Sequence, residues 1–272
     1  MTISSGERND VSGVSTDHPE RSRLDSVDRH LREMLRNRDS WEKKPVLQAV
    51  YRLFYKEIAA GMVDPAKGPV VELGSGIGVS KNFIPNCVTT DIFPNPWLDR
   101  VENAYELNFT DSSIRNLILF DVFHHLKYPG SALAEFRRVV VPGGRVILFE
   151  PAMGLLGKLV YGLFHHEPLA LNSRIELFPP PGEQPSEHGY YAAQGNAWRI
   201  FVNGEKAGLL DGWNLLLGKP LCALSYVLSG GFSKPSLYPL SFLPAMRMVD
   251  RFLQVSPAIF ATRILVVLEK MG

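Results

Sequence analysis

The first residues with clear chemical potential form the run 72–78, Glu-Leu-Gly-Ser-Gly-Ile-Gly. It continues a predicted buried strand that starts at Val70, and its glycines allow the backbone to turn sharply and to approach a ligand closely. Asp91 closes the next strand-like run, which starts at Cys87. A glycine-rich turn after one strand and a carboxylate at the end of the next suit an adenine nucleoside, whose ribose hydroxyls the acid can hold.

The glycine spacing and the charge of Glu72 indicate which adenine nucleoside the motif suits, a dinucleotide or S-adenosylmethionine. A dinucleotide fold uses Gly-x-Gly-x-x-Gly, with the pyrophosphate at a helix N-terminus. Here the spacing is Gly-x-Gly-x-Gly, and Val79 occupies the place of the third dinucleotide glycine. The chain also lacks the Tyr-x-x-x-Lys pair of a nicotinamide reductase. Glu72 is unfavourable for a pyrophosphate and favourable for an ammonium group, so the motif fits S-adenosylmethionine, which has an ammonium, a sulfonium and a ribose.

A second patterned region follows the glycine motif. The strand-like run 117–122 precedes Phe-His-His-Leu at 123–126. A predicted helix over 131–141 follows and ends at Pro-Gly-Gly. A predicted buried strand over 145–151 comes next and ends in Glu-Pro. Together with the glycine motif, this order resembles the class I S-adenosylmethionine-dependent methyltransferases. It is most similar to their type 11 branch, which includes ubiquinone and menaquinone C-methyltransferases. The resemblance covers about residues 68–151.

The resemblance implies an α/β fold, Rossmann-like, with a seven-stranded and mostly parallel sheet, an antiparallel last strand and inserted lid segments. It implies S-adenosyl-L-methionine as the cofactor, with the ammonium at Glu72, the ribose at Asp91 and the sulfonium beside Phe120 and Asp121. An Asn at position 103 replaces the Asp that often meets the adenine in the family. The residues expected to bind the cofactor are Glu72, Gly74, Ser75, Gly76, Gly78, Asp91, Ile92, Asn103, Ala104, Phe120 and Asp121.

Two histidine pairs, at 124–125 and 165–166, are candidates for the chemical step. Adjacent histidines point in different directions, and no cysteine or carboxylate joins them at a recognisable metal spacing, so the sequence predicts no metal site. A base is needed only where the acceptor must lose a proton, because the sulfonium is a good leaving group and positioning supplies most of the rate. The candidate catalytic residues are His125, His124, His166 and Glu167. The alternatives are simple packing for the first pair and a polar helix end for the second.

Composition restricts the partners. Lys plus Arg is 29 and Asp plus Glu is 28, a net charge of +1, which gives no electrostatic reason to expect a nucleic-acid partner. The two cysteines, Cys87 and Cys222, form no metal spacing, and the polar start predicts no signal peptide. We therefore expect a cytoplasmic protein, for which peripheral contact with a membrane stays open.

The chain divides into three predicted parts: a disordered tail (1–25), a helical cap (26–67) and a methyltransferase domain (68–272) with an insertion at about 152–210. Within the insertion, residues 153–171 are apolar with helical rhythm but too interrupted to span a membrane. We expect them to form a lid over the acceptor cleft and to favour a small or lipid-like acceptor. An O-methyltransferase of a sugar or polyketide, and a non-catalytic S-adenosylmethionine-binding module, remain open. The atom that is methylated and the oligomeric state are not determined by the sequence.

Overall fold

A computed structural model of the chain describes residues 19–185 and 191–272. Residues 1–18, from the predicted tail, and 186–190, from the predicted insertion, lie outside the described part. The first described helix already begins at Pro19, within the segment that the sequence analysis assigned to the tail.

Seven strands form one sheet with the order β3-β2-β1-β4-β5-β7-β6. The first five strands pair in parallel, whereas β7 runs antiparallel to both β5 and β6. This confirms the predicted Rossmann-like α/β fold with an antiparallel last strand. The strands are β1 (Val70–Leu73), β2 (Cys87–Asp91), β3 (Arg100–Val101), β4 (Ile114–Phe120), β5 (Val140–Pro151), β6 (Trp213–Leu221) and β7 (Arg263–Lys270).

Eight α-helices accompany the sheet in the described residues. They are α1 (Pro19–Lys43), α2 (Pro45–Gly61), α3 (Pro129–Val139), α4 (Leu155–Phe164), α5 (Asn196–Phe201), α6 (Leu224–Ser229), α7 (Leu243–Leu253) and α8 (Pro257–Phe260). The first crossover is only a 3-10 turn, Val79–Asn82, which fits the short distance to Pro85. Among the described residues, no helix is both long enough and apolar enough to cross a bilayer.

One sequence-based boundary differs. Pro142, Gly143 and Gly144 were expected to end the helix before the fifth strand, but α3 already ends at Val139 and the Pro-Gly-Gly segment lies inside β5. Val140 and Val141 are β-branched, and that favours extended backbone over a further helical turn. The strand therefore begins before the breakers.

The core lies on both faces of the sheet, as expected for parallel strands. In β4, Leu117 and Leu119 belong to the apolar cluster under α3 and α5, while Ile118 and Phe120 belong to the cluster under α1 and α2. This alternation follows the two-residue period of a strand. It fixes β4 rigidly, so that the residues after Phe120 are held at the carboxyl edge of the sheet, where ligands bind in open α/β folds.

Candidate cofactor and acceptor site

The glycine motif forms a tight left-handed loop at the end of β1. Gly74, Gly76 and Gly78 have φ of +63°, +54° and +66°, values that cost an L side chain backbone strain. A Cβ on Gly74 would lie 2.3 Å from Cγ2 of Val122, and one on Gly78 would lie 2.8 Å from the carbonyl oxygen of Trp97. Conformation therefore favours glycine at all three positions, and space restricts positions 74 and 78 further.

Glu72 is buried at the end of β1, with 1 % of its surface exposed. The hydroxyl of Tyr55 donates to its Oε1 over 2.7 Å. Its other oxygen, Oε2, has no hydrogen-bond partner at bonding distance among the described residues. Burial raises the pKa of Glu72, although the hydroxyl of Ser80 is near enough to lower that pKa in part. A buried carboxylate oxygen without a donor is costly, and the ammonium group of S-adenosylmethionine would satisfy it. The donor set thus fits the cofactor.

Asp91 ends β2 beside the glycine loop and has 6 % of its surface exposed. Its Oδ2 accepts the backbone N–H of Gly76 over 3.0 Å, and its Oδ1 accepts that of Ile92 over 2.8 Å. These bonds orient the carboxylate toward the loop, and burial raises its pKa. Ser75 closes the same turn, since its hydroxyl donates to the carbonyl of Glu72 and accepts the N–H of Thr90.

Helix α1, most of which belongs to the predicted helical cap (26–67), also reaches this end of the site, although the sequence analysis named none of its residues as site residues. His30 Nε2 lies 3.8 Å from Asp91 Oδ1, and the His30 ring lies 5.2 Å from that of Phe93. A Cβ on Gly76 would lie 3.4 Å from Sδ of Met34. The sequence has an apolar stripe in α1 (Leu24, Val27, Leu31 and Met34), but helical spacing alone does not indicate which element that stripe packs against.

Asn103 and Ala104 follow β3 at the same edge. The N–H of Glu102 donates to the carbonyl of Asp91 over 3.0 Å, so this segment adjoins the end of β2. Asn103 Oδ1 accepts the N–H of Tyr105 over 3.0 Å, and Ala104 packs against the cluster around β4. The amide of Asn103 is thus partly engaged in its own turn.

Asp121, which is expected beside the sulfonium of the cofactor, lies directly after β4. It is a non-glycine residue with φ of +56° and forms an ion pair with Arg263, the first residue of β7. The guanidinium carbon of Arg263 lies 4.5 Å from the ring centre of Tyr226, and the side chain is 2 % exposed. The rings of Phe54, Phe120 and Phe149 lie 5.8–5.9 Å away. Sequence analysis identified Arg263 only as the start of a strand, although it is the largest fully buried side chain.

His124 is buried against Glu150, the last acid of β5. Its Nδ1 lies 2.6 Å from Glu150 Oε2, and Glu150 Oε1 accepts the N–H groups of Val122 and Phe123. Burial alone would lower the pKa of His124, but the carboxylate of Glu150 raises it to about 10. The sequence analysis missed Glu150 as a site residue, because only the fold places it beside the histidine.

The inserted segment contributes Glu167 to the same place. Glu167 Oε2 lies 3.5 Å from His124 Nε2 and 3.6 Å from His165 Nδ1, and its Oε1 lies 3.7 Å from His125 Nε2. Gln194 Nε2 donates to Oε2 over 2.9 Å. Burial lowers the pKa of His125, whose Nδ1 lies 2.8 Å from the carbonyl oxygen of Tyr191.

The structure therefore brings together three of the four candidate catalytic residues. The fourth, His166, is exposed, and its ring stacks on that of His165 at 5.1 Å. We use the name His–Glu cluster for His124, His125, His165 and Glu167. The two halves of this cluster are far apart in sequence, and no local pattern predicts that they meet.

Comparisons with known proteins agree with this geometry. The model of the type 11 methyltransferase family, described as a methyltransferase domain, matches residues 71–148. That range contains the glycine loop, Asp91 and both histidines of the first pair. No curated protein matches the sequence.

Three solved structures illustrate the similarity in shape. A chain from the complex between the Haloferax volcanii Trm112 methyltransferase activator and a proposed methyltransferase has a TM-score of 0.49 and 15% identity, covering 88% of this chain and 94% of that one. The 1,6-didemethyltoxoflavin-N1-methyltransferase of Burkholderia thailandensis, solved with S-adenosylhomocysteine, has a TM-score of 0.45 and 13% identity, covering 94% and 91%. An S-adenosylmethionine-dependent methyltransferase of Methanosarcina mazei has a TM-score of 0.40 and 14% identity, covering 75% and 92%. Similarities this weak decide nothing about the acceptor.

Proposed function

Since the chain is an S-adenosylmethionine-dependent methyltransferase with a domain of the type 11 family, we propose that it methylates a small, lipid-like acceptor at a membrane surface. The observation that carries this proposal is the apolar outer face formed by α4, α7 and α8. The cofactor and acceptor ends of the site and the charge of that face support it.

The cofactor end uses the residues of the glycine motif and of β2. Glu72 Oε2 accepts the ammonium group, and Asp91, held by the N–H groups of Gly76 and Ile92, accepts the ribose hydroxyls. The loop 74–78 supplies close backbone contact, while Asn103 and Ala104 adjoin the adenine. When bound, the cofactor supplies a methyl group on a sulfonium. Because transfer needs in-line approach and exclusion of water, the protein acts mainly by positioning.

The acceptor end lies between Asp121 and the His–Glu cluster. Phe120 and Asp121 close the wall beside the sulfonium position, since they end the strand next to β1. A proton released by an acceptor hydroxyl or carbon acid can be taken up by Glu167 or by His125. Burial lowers the pKa of His125, so its ring is neutral and able to accept near pH 7. His166 lies outside this arrangement and takes no part in the proposal.

Helix α4 has two different faces. Its inner face is fixed to the fold, because the hydroxyl of Tyr161 donates to the carbonyl of Thr262 over 2.7 Å and Gly157 packs against the backbone of Ala152. Its outer face carries large apolar side chains that are more than half exposed, Leu163 at 69% and Phe164 at 70%. A purely structural helix would bury these side chains. They are free to contact a surface or an acceptor instead.

The apolar face continues beyond α4. Helix α4 packs against α8, and α8 follows α7 after a three-residue turn. Exposed apolar side chains cover these elements. They are Leu155, Leu159, Leu163 and Phe164 of α4, Ile259 of α8, and Met248, Val249, Phe252 and Val255 of α7 and the turn after it. We infer that these side chains act together as one apolar face, because a large exposed apolar patch marks an interaction site.

The charges beside this face support an anionic bilayer surface as the partner. The only charged residue of α4 is Lys158, and α7 contributes Arg247 and Arg251. The single acid of α7, Asp250, accepts hydrogen bonds from Ser225. Apolar side chains flanked by cations are the pattern of a helix that lies in a membrane interface. An acceptor dissolved in that membrane would enter the cleft beside Tyr161.

Vesicle binding tests the proposal. The full chain should sediment with vesicles that contain phosphatidylglycerol, more weakly with pure phosphatidylcholine, and should transfer label from methyl-labelled cofactor into the lipid extract of a cell membrane. The double variant L159S/F252S should lose vesicle binding and lipid methylation while keeping its affinity for S-adenosylhomocysteine. The double variant L216S/M271S, which changes exposed apolar residues elsewhere, is the matched control and should behave like the unchanged chain.

Two outcomes would reject the membrane proposal. One is label that appears only in water-soluble products. The other is equal vesicle binding by both double variants. A collapsed thermal transition in L159S/F252S would instead show that the face is structural.

A further inference from the structure

We propose that His124, His125 and Glu167 bind a divalent transition-metal ion of the Zn²⁺ type. The proposal concerns metal binding alone, so it does not depend on the identity of the acceptor. It reverses the expectation of no metal site, which rested on the lack of a carboxylate at a suitable sequence spacing. The fold supplies that carboxylate from the inserted segment.

The distances around Glu167 suit ligands of one ion better than hydrogen bonds. The imidazole nitrogens lie 3.5 Å (His124 Nε2) and 3.7 Å (His125 Nε2) from its two oxygens. Hydrogen bonds between nitrogen and oxygen span about 2.7–3.2 Å. Ligands of a tetrahedral zinc ion, with bonds of about 2.0–2.1 Å, are separated by about 3.3–3.4 Å. Both histidine–carboxylate separations are close to that value, and the ligand atoms of the three residues all lie within 4.8 Å of one another.

Both histidines are oriented for metal binding by their other nitrogen. His125 Nδ1 lies 2.8 Å from the carbonyl oxygen of Tyr191, which can only accept, so Nδ1 carries the proton and the lone pair of the neutral ring is on Nε2. His124 Nδ1 lies 2.6 Å from Glu150 Oε2 and donates to it. Because Glu150 raises the pKa of His124 to about 10, Nε2 of His124 carries a proton near pH 7 and must release it when the ion binds. Metal-binding histidines usually donate their second ring nitrogen to a carboxylate or a backbone carbonyl. Here both Nε2 atoms converge on the carboxylate of Glu167.

The alternative grouping of Asp121, His124 and Glu150 is a poorer site. Asp121 already pairs with the guanidinium of Arg263, and a second cation beside it would be repelled. Glu150 Oε1 already accepts two backbone N–H groups. The grouping around Glu167 therefore suits a cation better.

The proposed site is open on one side. The side chain of His125 is 34% exposed, whereas those of His124 and Glu167 are 4% and 10% exposed. His165 Nδ1 lies 3.6 Å from Glu167 Oε2, but it is hydrogen-bonded to Gln194 Nε2 over 2.8 Å and is not counted as a ligand. Three protein ligands and one open position are typical of catalytic zinc sites. An acceptor oxygen at that position would be polarised by the ion, which would then replace His125 in promoting deprotonation.

Metal titration of the stripped full-length chain, without any affinity tag, tests the proposal. Zn²⁺ in competition with a chromophoric chelator should bind at one ion per chain, whereas Mg²⁺, which prefers oxygen ligands, should not compete. The E167Q and H125A variants should each bind Zn²⁺ at least about 100-fold more weakly, and E150Q about 10-fold more weakly through loss of orientation. Cobalt(II) should give the visible absorption of a tetrahedral nitrogen and oxygen site.

The exposed neighbour His166 provides the matched control. H166A should bind Zn²⁺ like the unchanged chain, and all variants should keep their affinity for S-adenosylhomocysteine, which reports on the intact fold at the other end of the cleft. The metal proposal is overturned if the unchanged chain binds no Zn²⁺ at micromolar concentration, or if E167Q and H125A both bind it as tightly. Either result would leave the methyltransferase assignment untouched.

Discussion

The proposed cofactor end and the proposed acceptor end lie at one edge of the sheet, but they are built from different kinds of interaction. At the cofactor end, a short stretch of chain provides left-handed glycines, one carboxylate held by two backbone N–H groups and one carboxylate held by Tyr55. At the acceptor end, charged side chains from distant parts of the chain pair with one another, as in Asp121 with Arg263 and His124 with Glu150.

This difference determines what each end tolerates. A backbone cradle depends on local conformation, so one altered side chain affects ligand binding more than folding. A buried charge network depends on every partner, because removing one leaves the other charged and unpaired in a medium that solvates it poorly. The acceptor end should therefore be the more sensitive of the two in stability, and the cofactor end the more sensitive in ligand affinity.

The largest effect should follow from D121A. This change leaves the guanidinium of Arg263 buried without its carboxylate, surrounded by aromatic rings that replace only part of the lost attraction. Breaking a buried ion pair costs about 3–5 kcal/mol, and because the side chain of Asp121 is 32% exposed, solvent screening places this pair at about 3 kcal/mol. We expect the free energy of unfolding, measured by denaturant titration, to fall by about that amount.

The matched control is D111A. Asp111 also pairs with an arginine, Arg138, but its side chain is 78% exposed and water replaces the lost partner. Its unfolding midpoint should hardly change. Similar losses of stability in D121A and D111A would contradict the proposed contrast between a buried network and a solvated surface.

The two ends also differ in how far the sequence predicts them. The cofactor end follows from residues 72–91, because a glycine-rich turn after a strand and an acid after the next strand are local patterns. Arg263 is separated from Asp121 by most of the second half of the chain, and Glu167 reaches His125 only through the insertion. Those contacts depend on the strand order and on the path of the loop after α4, which no periodicity indicates. The apolar rhythm of α4 was predicted, but the direction of its outer face was not.

A smaller effect, and one on ligand affinity, is expected for D91A. It removes the carboxylate that accepts the N–H groups of Gly76 and Ile92 and that faces the ribose position. Loss of a charged hydrogen-bond partner should weaken S-adenosylhomocysteine binding by about 2–3 kcal/mol in calorimetric titration. Asp64, an exposed acid before β1, is the control, and D64A should bind like the unchanged chain. Unchanged affinity in a folded D91A would show that the acid only closes the turn.

The smallest effect should come from Y55F, and it should depend on pH. The Tyr55 hydroxyl donates to Glu72 Oε1 over 2.7 Å and so favours the charged carboxylate, whose pKa burial raises. Without the hydroxyl the pKa of Glu72 should rise further. Because the ammonium group needs the charged form, cofactor affinity is full above that pKa and is lost as the pH falls through it. Y55F should therefore lose affinity at a higher pH than the unchanged chain and bind about 1.5 kcal/mol more weakly near neutrality. The control is Y238F, which removes a hydroxyl that donates to the carbonyl of Ser225 and should leave the pH profile unchanged. Superimposable profiles for Y55F and the unchanged chain would show that Tyr55 does not affect the pKa of Glu72.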